Sequence, residues 1–393
     1  MTSHTRVLVA GGGVAALETC MALGALAGDR VLVTLIAPNA FFEYRPVGVH
    51  DPLAVRGRVR VPTARLARDA GADVLRDRLA DIDPVARRVR TGSGCELAYD
   101  ALVLAIGARP GDAPAGAVPF DATHVGDCEA VVRAVNRRRV RSLAFVEPPA
   151  PTQSLDLYDL ALETAVAARR DGAAPALTLV TAQPGPLAFA GAGVVDMMRM
   201  TLASHGIRVV ESAYVRSIAD RELELVPGSR RVVADRIIAA PRLAGPRPLN
   251  LPCDADGFLP VDPFGRLPGV DGVYAAGDCA AYPVKHPSLA AQQADAVATA
   301  IAGEPEPFTP VLRCMLPSRL RWYIEAPLTG GLGDAAVVSA HPLWPGDARF
   351  VARHLSAGLA DFEHCERRDR GEDRRDDERV DDGHRAVAAM AAH

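Results

Sequence analysis

Two glycine turns, far apart in the chain, carry the residue types that grip a phosphorylated ligand. The first, Gly11-Gly12-Gly13, follows a buried-strand pattern at residues 6–10 (RVLVA) and opens a helical run over residues 14–26. Read as GxGxxA, it uses Gly11 for the tight turn and Gly13 for close backbone approach to a pyrophosphate, while Ala16 is small enough for helix and strand to pack closely. Phosphate charge then rests on the first helical N–H groups, around Val14 and Ala15, at the positive end of the helix dipole. The second turn, Gly277-Asp278, ends a short apolar strand at residues 273–276 and precedes an Ala-rich helical run that begins near Ser288 and Leu289. Such a unit presents a carboxylate at a strand's carboxyl end and a helix amino terminus nearby, both aimed at one ligand.

The same stretch holds Lys285, the only lysine in the chain; every other residue of the Lys+Arg count is arginine. A lysine kept in that background sits where a compact ammonium does what a planar guanidinium cannot, or else it is a chance survivor on a solvated loop. The sequence leaves both readings open.

These groups need a scaffold, and the flanking pattern supplies one. The next strand, residues 31–36, runs into Ala37-Pro38-Asn39 with no carboxylate at its tip, where a dinucleotide site usually places an acid on the ribose; Asn39 is the candidate there. Residues 41–46 (FFEYRP) form an aromatic loop, read either as a wall against a flat ring or as ordinary packing. Alternating segments over residues 73–100 predict a small antiparallel ribbon. A further buried strand then ends at Ala105-Ile106-Gly107, a turn where backbone can pass close to a ligand. Residues 113–119 read as a linker.

A second strand-helix unit follows, but its turn reads Glu147-Pro148-Pro149-Ala150-Pro151-Thr152 where a fingerprint would be GxGxxG. Proline has no N–H and a fixed φ, so this turn lacks the cradle a pyrophosphate needs, and tight NAD(P) binding is not expected. A helix over residues 155–169, a strand at 177–180, a helix over 194–205 and a strand at 208–210 complete the second unit.

At 393 residues the chain has room for two or three domains with proper cores. A net charge of −4 with dispersed basic residues argues against a nucleic-acid binder. The amino terminus enters its first strand without a secretory pattern, and no apolar run approaches the ~18 residues a spanning helix needs. A cytoplasmic protein is expected, soluble or at most peripheral to a membrane, with a homo-oligomer left open. Seven cysteines form no CxxC pair and no Cys/His ligand spacing, so reduced thiols and no metal are expected.

In this order and spacing GGGVAALE, FFEYRP, YDALVLAIGARP, DGFLPVD and VYAAGDCA resemble the FAD-dependent pyridine nucleotide-disulfide oxidoreductases. PVKHPSLAAQQAD is similar to the branch containing sulfide:quinone oxidoreductases and type II NADH dehydrogenases. The resemblance spans residues 1–360 and implies an α/β fold of two nested, three-layer Rossmann-like domains. The FAD-binding domain would comprise residues 1–115 and 240–303, and residues 116–239 would form an NAD(P)-like domain without its glycine fingerprint. A small C-terminal module (304–360) and a charged, disordered tail (361–393) would follow.

The resemblance further implies that Gly11, Gly13 and Ala16 cradle the FAD pyrophosphate and that Gly277 lets Asp278 reach a ribityl or phosphate-linked hydroxyl. Tyr44 and Pro46 would pack near the isoalloxazine. Lys285 and the helix start at Ser288 would face the flavin's pyrimidine end, where a positive charge favours the reduced flavin by at most ~4 kcal/mol at 4 Å and an effective dielectric of 20. Gln292 and Gln293 lie where this branch approaches a quinone headgroup, or they form a polar face on an Ala-rich helix. The family's sulfide oxidisers use paired redox cysteines, one just after the second-domain strand; here that turn has none, which leaves Cys128 and Cys314 as candidates.

The expected function is an FAD-dependent oxidoreductase passing electrons from a reduced donor, NAD(P)H by default, through the flavin to a quinone-like or other acceptor. The alternatives are a sulfide or persulfide oxidiser and a flavin-bound partner protein without turnover.

Overall fold

The computed structural model describes residues 4–44, 59–121, 124–149, 154–248, 250–316, 321–328, 336–344 and 350–369. Two five-stranded parallel sheets dominate it. β1 (Thr5–Ala10), β2 (Val31–Ile36), β3 (Asp73–Leu75) and β4 (Ala101–Leu104) belong to the first. The second contains β5 (Val118–Pro119), β6 (Ser142–Glu147), β7 (Ala176–Thr181), β8 (Ile207–Val210) and β9 (Arg236–Ala239). The chain then returns, and β10 (Val273–Ala275) joins the edge of the first sheet beside β4. The orders are β10-β4-β1-β2-β3 and β5-β9-β6-β7-β8, so β1 and β6 hold equivalent central places.

Sheets covered on both faces read as continuous apolar runs, and β1 and β4 do: Val7 through Ala10 and Ala101 through Leu104 are all buried. Helices α1 (Val14–Ala27), α2 (Thr63–Asp69), α3 (Val125–Asn136), α4 (Ser154–Arg170), α5 (Ala192–Ser204), α6 (Pro287–Ala302) and α7 (Leu355–Asp369) cover them. α1 and α6 share one core in which Ala15, Ala16 and Ala22 of α1 lie with Ala290, Ala291, Ala294 and Ala298 of α6. Small side chains on both helices let the axes approach closely, which gives the alanine richness of α6 a structural cause.

Three-stranded antiparallel ribbons lie beside each sheet. The first, Leu79–Asp83 with Arg88–Thr91 and Glu96–Ala98, is the one the alternation predicts. The second, Tyr214–Ala219 with Glu222–Val226 and Arg230–Val233, has no counterpart among the elements expected from sequence. The aromatic segment is a strand and not a loop, since Phe41–Tyr44 pairs with Val59–Pro62. In the C-terminal module β11 (Val311–Leu316), β12 (Trp322–Pro327) and β13 (Val337–Ser339) form an antiparallel sheet.

The charged composition after residue 360 predicts disorder from 361, whereas α7 continues to Asp369. Leu355, Leu359 and Phe362, spaced i, i+4, i+7, bury one face of it in the core of the first domain. No helix among the described residues is long and apolar enough to cross a membrane.

Candidate functional site

The glycine turn after β1 is fixed by sterics. Gly11 has φ +136°, and a Cβ there would lie 2.0 Å from the Ala105 carbonyl oxygen, so only glycine lets β1 turn against the end of β4. Its N–H donates to the Ile36 carbonyl at 2.9 Å, and the Ala105 N–H donates to the Ala10 carbonyl at 2.8 Å. At Gly13 the backbone is extended, with φ −94°, and a methyl added there would meet nothing within 4 Å. Gly13 is the cap of α1, whose first turn has no acidic residue. Val14 is half-buried there, while Ala15 and Ala16 are buried beneath it.

Beside this turn lies a cavity of about 1120 Å³ lined by Gly11, Gly12, Gly13, Asn39, Ala105 and Gly107, among others. Arg60, Arg76, Arg78, Arg109 and Arg247 also border it, Arg60 being paired to Glu43 at 2.9 Å. Glycine backbone, a helix N-terminus and five arginines against two acids, Glu43 and Asp81, give a lining suited to an anion. Asn39, after β2 at the carboxyl edge of the sheet, borders the same cavity.

The Gly277-Asp278 turn abuts the first. Gly277, at φ +79°, is so close to α1 that a Cβ would lie 2.9 Å from the Ala15 Cβ. Its N–H donates to the Oε1 atom of Gln293, a buried residue of α6, at 2.7 Å. Asp278 follows in a single 3₁₀ turn, and Cys279 is buried with its thiol donating to the Leu104 carbonyl at 3.1 Å. Burial pushes that thiol up to about 11, as suits a packing residue.

Lys285 is not on a solvated loop. It is 5% exposed, its Nζ donates to the Ala280 carbonyl at 2.5 Å, and it sits 4.2 Å from the Phe258 ring centroid. Burial lowers its pKa to about 8, against the opposing pull of Asp278, Cys279 and Asp254. The ammonium therefore belongs to the wall behind the Gly-Asp turn.

α6 begins one residue earlier than the periodicity predicts, at Pro287. His286 caps it, its Nδ1 accepting from the Ser288 N–H at 3.2 Å, and burial lowers the imidazole to about 4. The Ser288 hydroxyl accepts from the Arg313 N–H at 3.2 Å, and Leu289 packs into the core shared with β11 and the second domain. Proline at the first helical position marks the residue before it as the cap, and that signal identifies His286 in the sequence.

The two glutamines have internal work. Gln292 donates to the Val311 carbonyl at 2.7 Å and accepts from its N–H at 3.0 Å, acting as a strand partner for β11. Gln293 holds Gly277, as above. Neither forms the exposed polar face that the sequence allows.

Tyr44 lies at the end of the Phe41–Tyr44 strand, stacked on Phe42 with ring centroids 6.0 Å apart. Pro46 falls outside the described residues. Cys128 (α3) and Cys314 (β11) are both buried free thiols, Cys128 donating to the Pro119 carbonyl at 3.4 Å. Burial raises Cys128 to about 12 and Cys314 further, the reverse of what an attacking thiolate needs.

One polar cluster gave no sequence signal. Glu18 of α1, fully buried, accepts from the N–H groups of His354 and Leu355 at 2.8 and 2.7 Å and so caps α7. Asp295 of α6 lies 3.9 Å from His354 Nε2, and burial together with Glu18 raises it to about 7. Glu18, Asp295 and His354 bring ligand-type atoms within 4.8 Å of one another, but both Glu18 oxygens are already engaged by the helix.

The paired parallel sheets, each covered by helices, define a fold of two Rossmann-like domains. The chain belongs to the pyridine nucleotide-disulphide oxidoreductase family, whose profile it matches over residues 5–146 and 159–301. It is 28% identical to an NADH dehydrogenase-like protein of Mycobacterium tuberculosis over 304 residues, 70% of this chain and 73% of that one. Over a shorter stretch of 111 residues, 28% of this chain and 25% of the relative, it is 35% identical to a sulfide-quinone reductase of Aquifex aeolicus. The solved sulfide:quinone oxidoreductase of Aquifex aeolicus superposes with a TM-score of 0.74 at 18% identity, covering 85% of this chain and 86% of that one. The protein is a flavin oxidoreductase by family.

Proposed function

We propose that the chain holds FAD across its first domain and passes electrons from a reduced donor to a quinone-like acceptor. The contact of Gly277 with Ala15 carries this reading, because it brings the Gly-Asp turn and the phosphate-type glycine turn to one helix start. The residues fit the cofactor. Gly11, Gly13 and the N–H groups of Val14 and Ala15 would hold the pyrophosphate, Asn39 the adenosine ribose, and Ala105 and Gly107 would flank its path. Asp278 would take a hydroxyl of the ribityl arm.

FAD supplies the two-electron chemistry when bound. The chain's own part is to bind and orient it, and Lys285 adds a tunable charge behind Asp278. Similarity to a protein named a sulfide-quinone reductase supports a quinone-like acceptor. Cys128 and Cys314, the two candidates for the sulfide reading, are buried with their thiols raised by burial, which speaks against either as its nucleophile.

The test is the visible spectrum of the purified protein, its FAD content, and anaerobic reduction by dithionite followed by addition of a soluble quinone. One FAD per chain and rapid reoxidation by the quinone are expected. A colourless protein that takes up no added FAD would sink the reading, and a bound flavin indifferent to quinones would remove the acceptor from it.

A further inference from the structure

The second domain repeats the first up to the point where a phosphate would bind, and there it departs. β6 occupies in its sheet the place that β1 has in the first, flanked by β9 and β7 as β1 is by β4 and β2. After β1, three glycines lead into α1. After β6, the last strand residue is Glu147, fully buried, and the chain reaches α4 at Ser154 through residues 148–153.

The Glu147 carboxylate is held on both oxygens: Tyr158 OH donates to Oε2 at 2.7 Å and Gln183 Nε2 donates to Oε1 at 2.6 Å. Gln183 in turn accepts from the Phe189 N–H at 3.1 Å, which ties the loop after β7 into the same network. Tyr158 is fully buried, and burial followed by the Glu147 charge drives its phenol well above its ordinary pKa, so it stays a donor. It belongs to the second turn of α4, and its phenol reaches back to the carboxyl end of β6 at Glu147. Asp156 adds a carboxylate to that turn, and Pro148 and Pro149 offer no N–H.

A pyrophosphate at this strand end meets a buried carboxylate, an acidic first turn and two prolines without N–H donors, where the first domain gives it open glycine backbone. We infer that the second domain has given up nicotinamide dinucleotide binding: the Glu147–Tyr158–Gln183 network fills that site. The electron donor is therefore one that reaches the flavin without anchoring an adenosine diphosphate there. The existence of an electron donor rests on the flavin reading; the occupied site does not.

The experiment is titration of the purified holoprotein with NADH and NADPH, read by nicotinamide fluorescence and equilibrium dialysis, alongside anaerobic mixing with each. No saturable binding is expected up to about 1 mM, the upper end of ordinary substrate affinities, and any flavin bleaching should rise in proportion to nicotinamide concentration without a plateau. Saturable binding of either nucleotide below that concentration overturns the inference. A protein without flavin would defeat the proposed function while leaving the binding curve, and this inference, to be judged on its own.

Discussion

Gln293 Oε1 accepts the Gly277 N–H at 2.7 Å inside the protein, so a side chain of α6 fixes the backbone that aims Asp278. Removing that acceptor leaves a buried N–H unpaired, at a cost of about 1–3 kcal/mol. Gln293→Leu should weaken FAD affinity by roughly tenfold, while Gln293→Glu, which keeps an acceptor oxygen, should hold the cofactor. Reconstitution of apoprotein with FAD, followed by fluorescence, measures both. Equal affinities in the two variants would return Gln293 to a packing role.

The buried ammonium of Lys285 gives a second prediction. Its folded pKa, lowered to about 8 from 10.5, means the native state binds fewer protons than the unfolded chain between those values. The penalty for burying the charge is full below about pH 8 and lifts as the pH rises toward 10.5. If that charge tunes the flavin, wild-type reoxidation rates should show an inflection near pH 8 that Lys285→Met abolishes. The midpoint potential of Lys285→Met should fall by about 30 mV, the equivalent of ~1.4 kcal/mol for a two-electron couple. Lys285→Arg should not rescue it, because a site 5% exposed over Phe258 suits an ammonium and crowds a guanidinium.

Burial raises both carboxylates near the start of α7, Glu18 and Asp295, but only Glu18 accepts the helix N–H groups, so replacing each should have a different net effect. Asp295, raised to about 7 from 3.8, favours its protonated form in the fold, so a penalty develops as pH climbs from about 4 to about 7 and is full above that. Asp295→Asn should therefore be more stable than wild type at pH 8, by about 1–2 kcal/mol after discounting for solvent screening, with the gain vanishing near pH 4. Glu18→Gln weakens a helix cap and should cost about 1 kcal/mol. Thermal unfolding across pH 4–8 distinguishes them, and an Asp295→Asn gain that ignores pH would contradict the assignment.

Much of the first site was legible because its chemistry is local. A glycine that must turn at positive φ, a small residue at the helix-strand contact and an acid at a strand end each leave a mark at one position. The doubly covered sheets announce themselves as apolar runs. What stayed hidden depends on partners far along the chain. Glu18 reads as an ordinary helical glutamate, and its role appears only when residues 354 and 355 arrive at its carboxylate. Gln292 and Gln293 look like a polar face because nothing local reveals Val311 or Gly277 as their partners. Glu147 was visible as a departure from the glycine pattern, but its closure by Tyr158 and Gln183 is a tertiary fact. Likewise, α7 outran the composition argument because three apolar residues at helical spacing outweigh the charges between them.

Gly11 and Gly13 offer a test that separates fold from ligand within one turn. At Gly11 a methyl would meet the Ala105 carbonyl oxygen at 2.0 Å, and the positive φ forbids easy relief, so Gly11→Ala should destabilise the β1–α1 unit itself and lower the melting temperature of the apoprotein. At Gly13 the φ of −94° suits alanine and the space is open, so Gly13→Ala should fold as well as wild type. The added methyl would then occupy the room a pyrophosphate needs, and FAD affinity should fall by at least about tenfold, or ~1.4 kcal/mol. A Gly13→Ala protein with unchanged melting and unchanged FAD affinity would show that the phosphates lie elsewhere, and the placement of the cofactor along α1 would have to be abandoned.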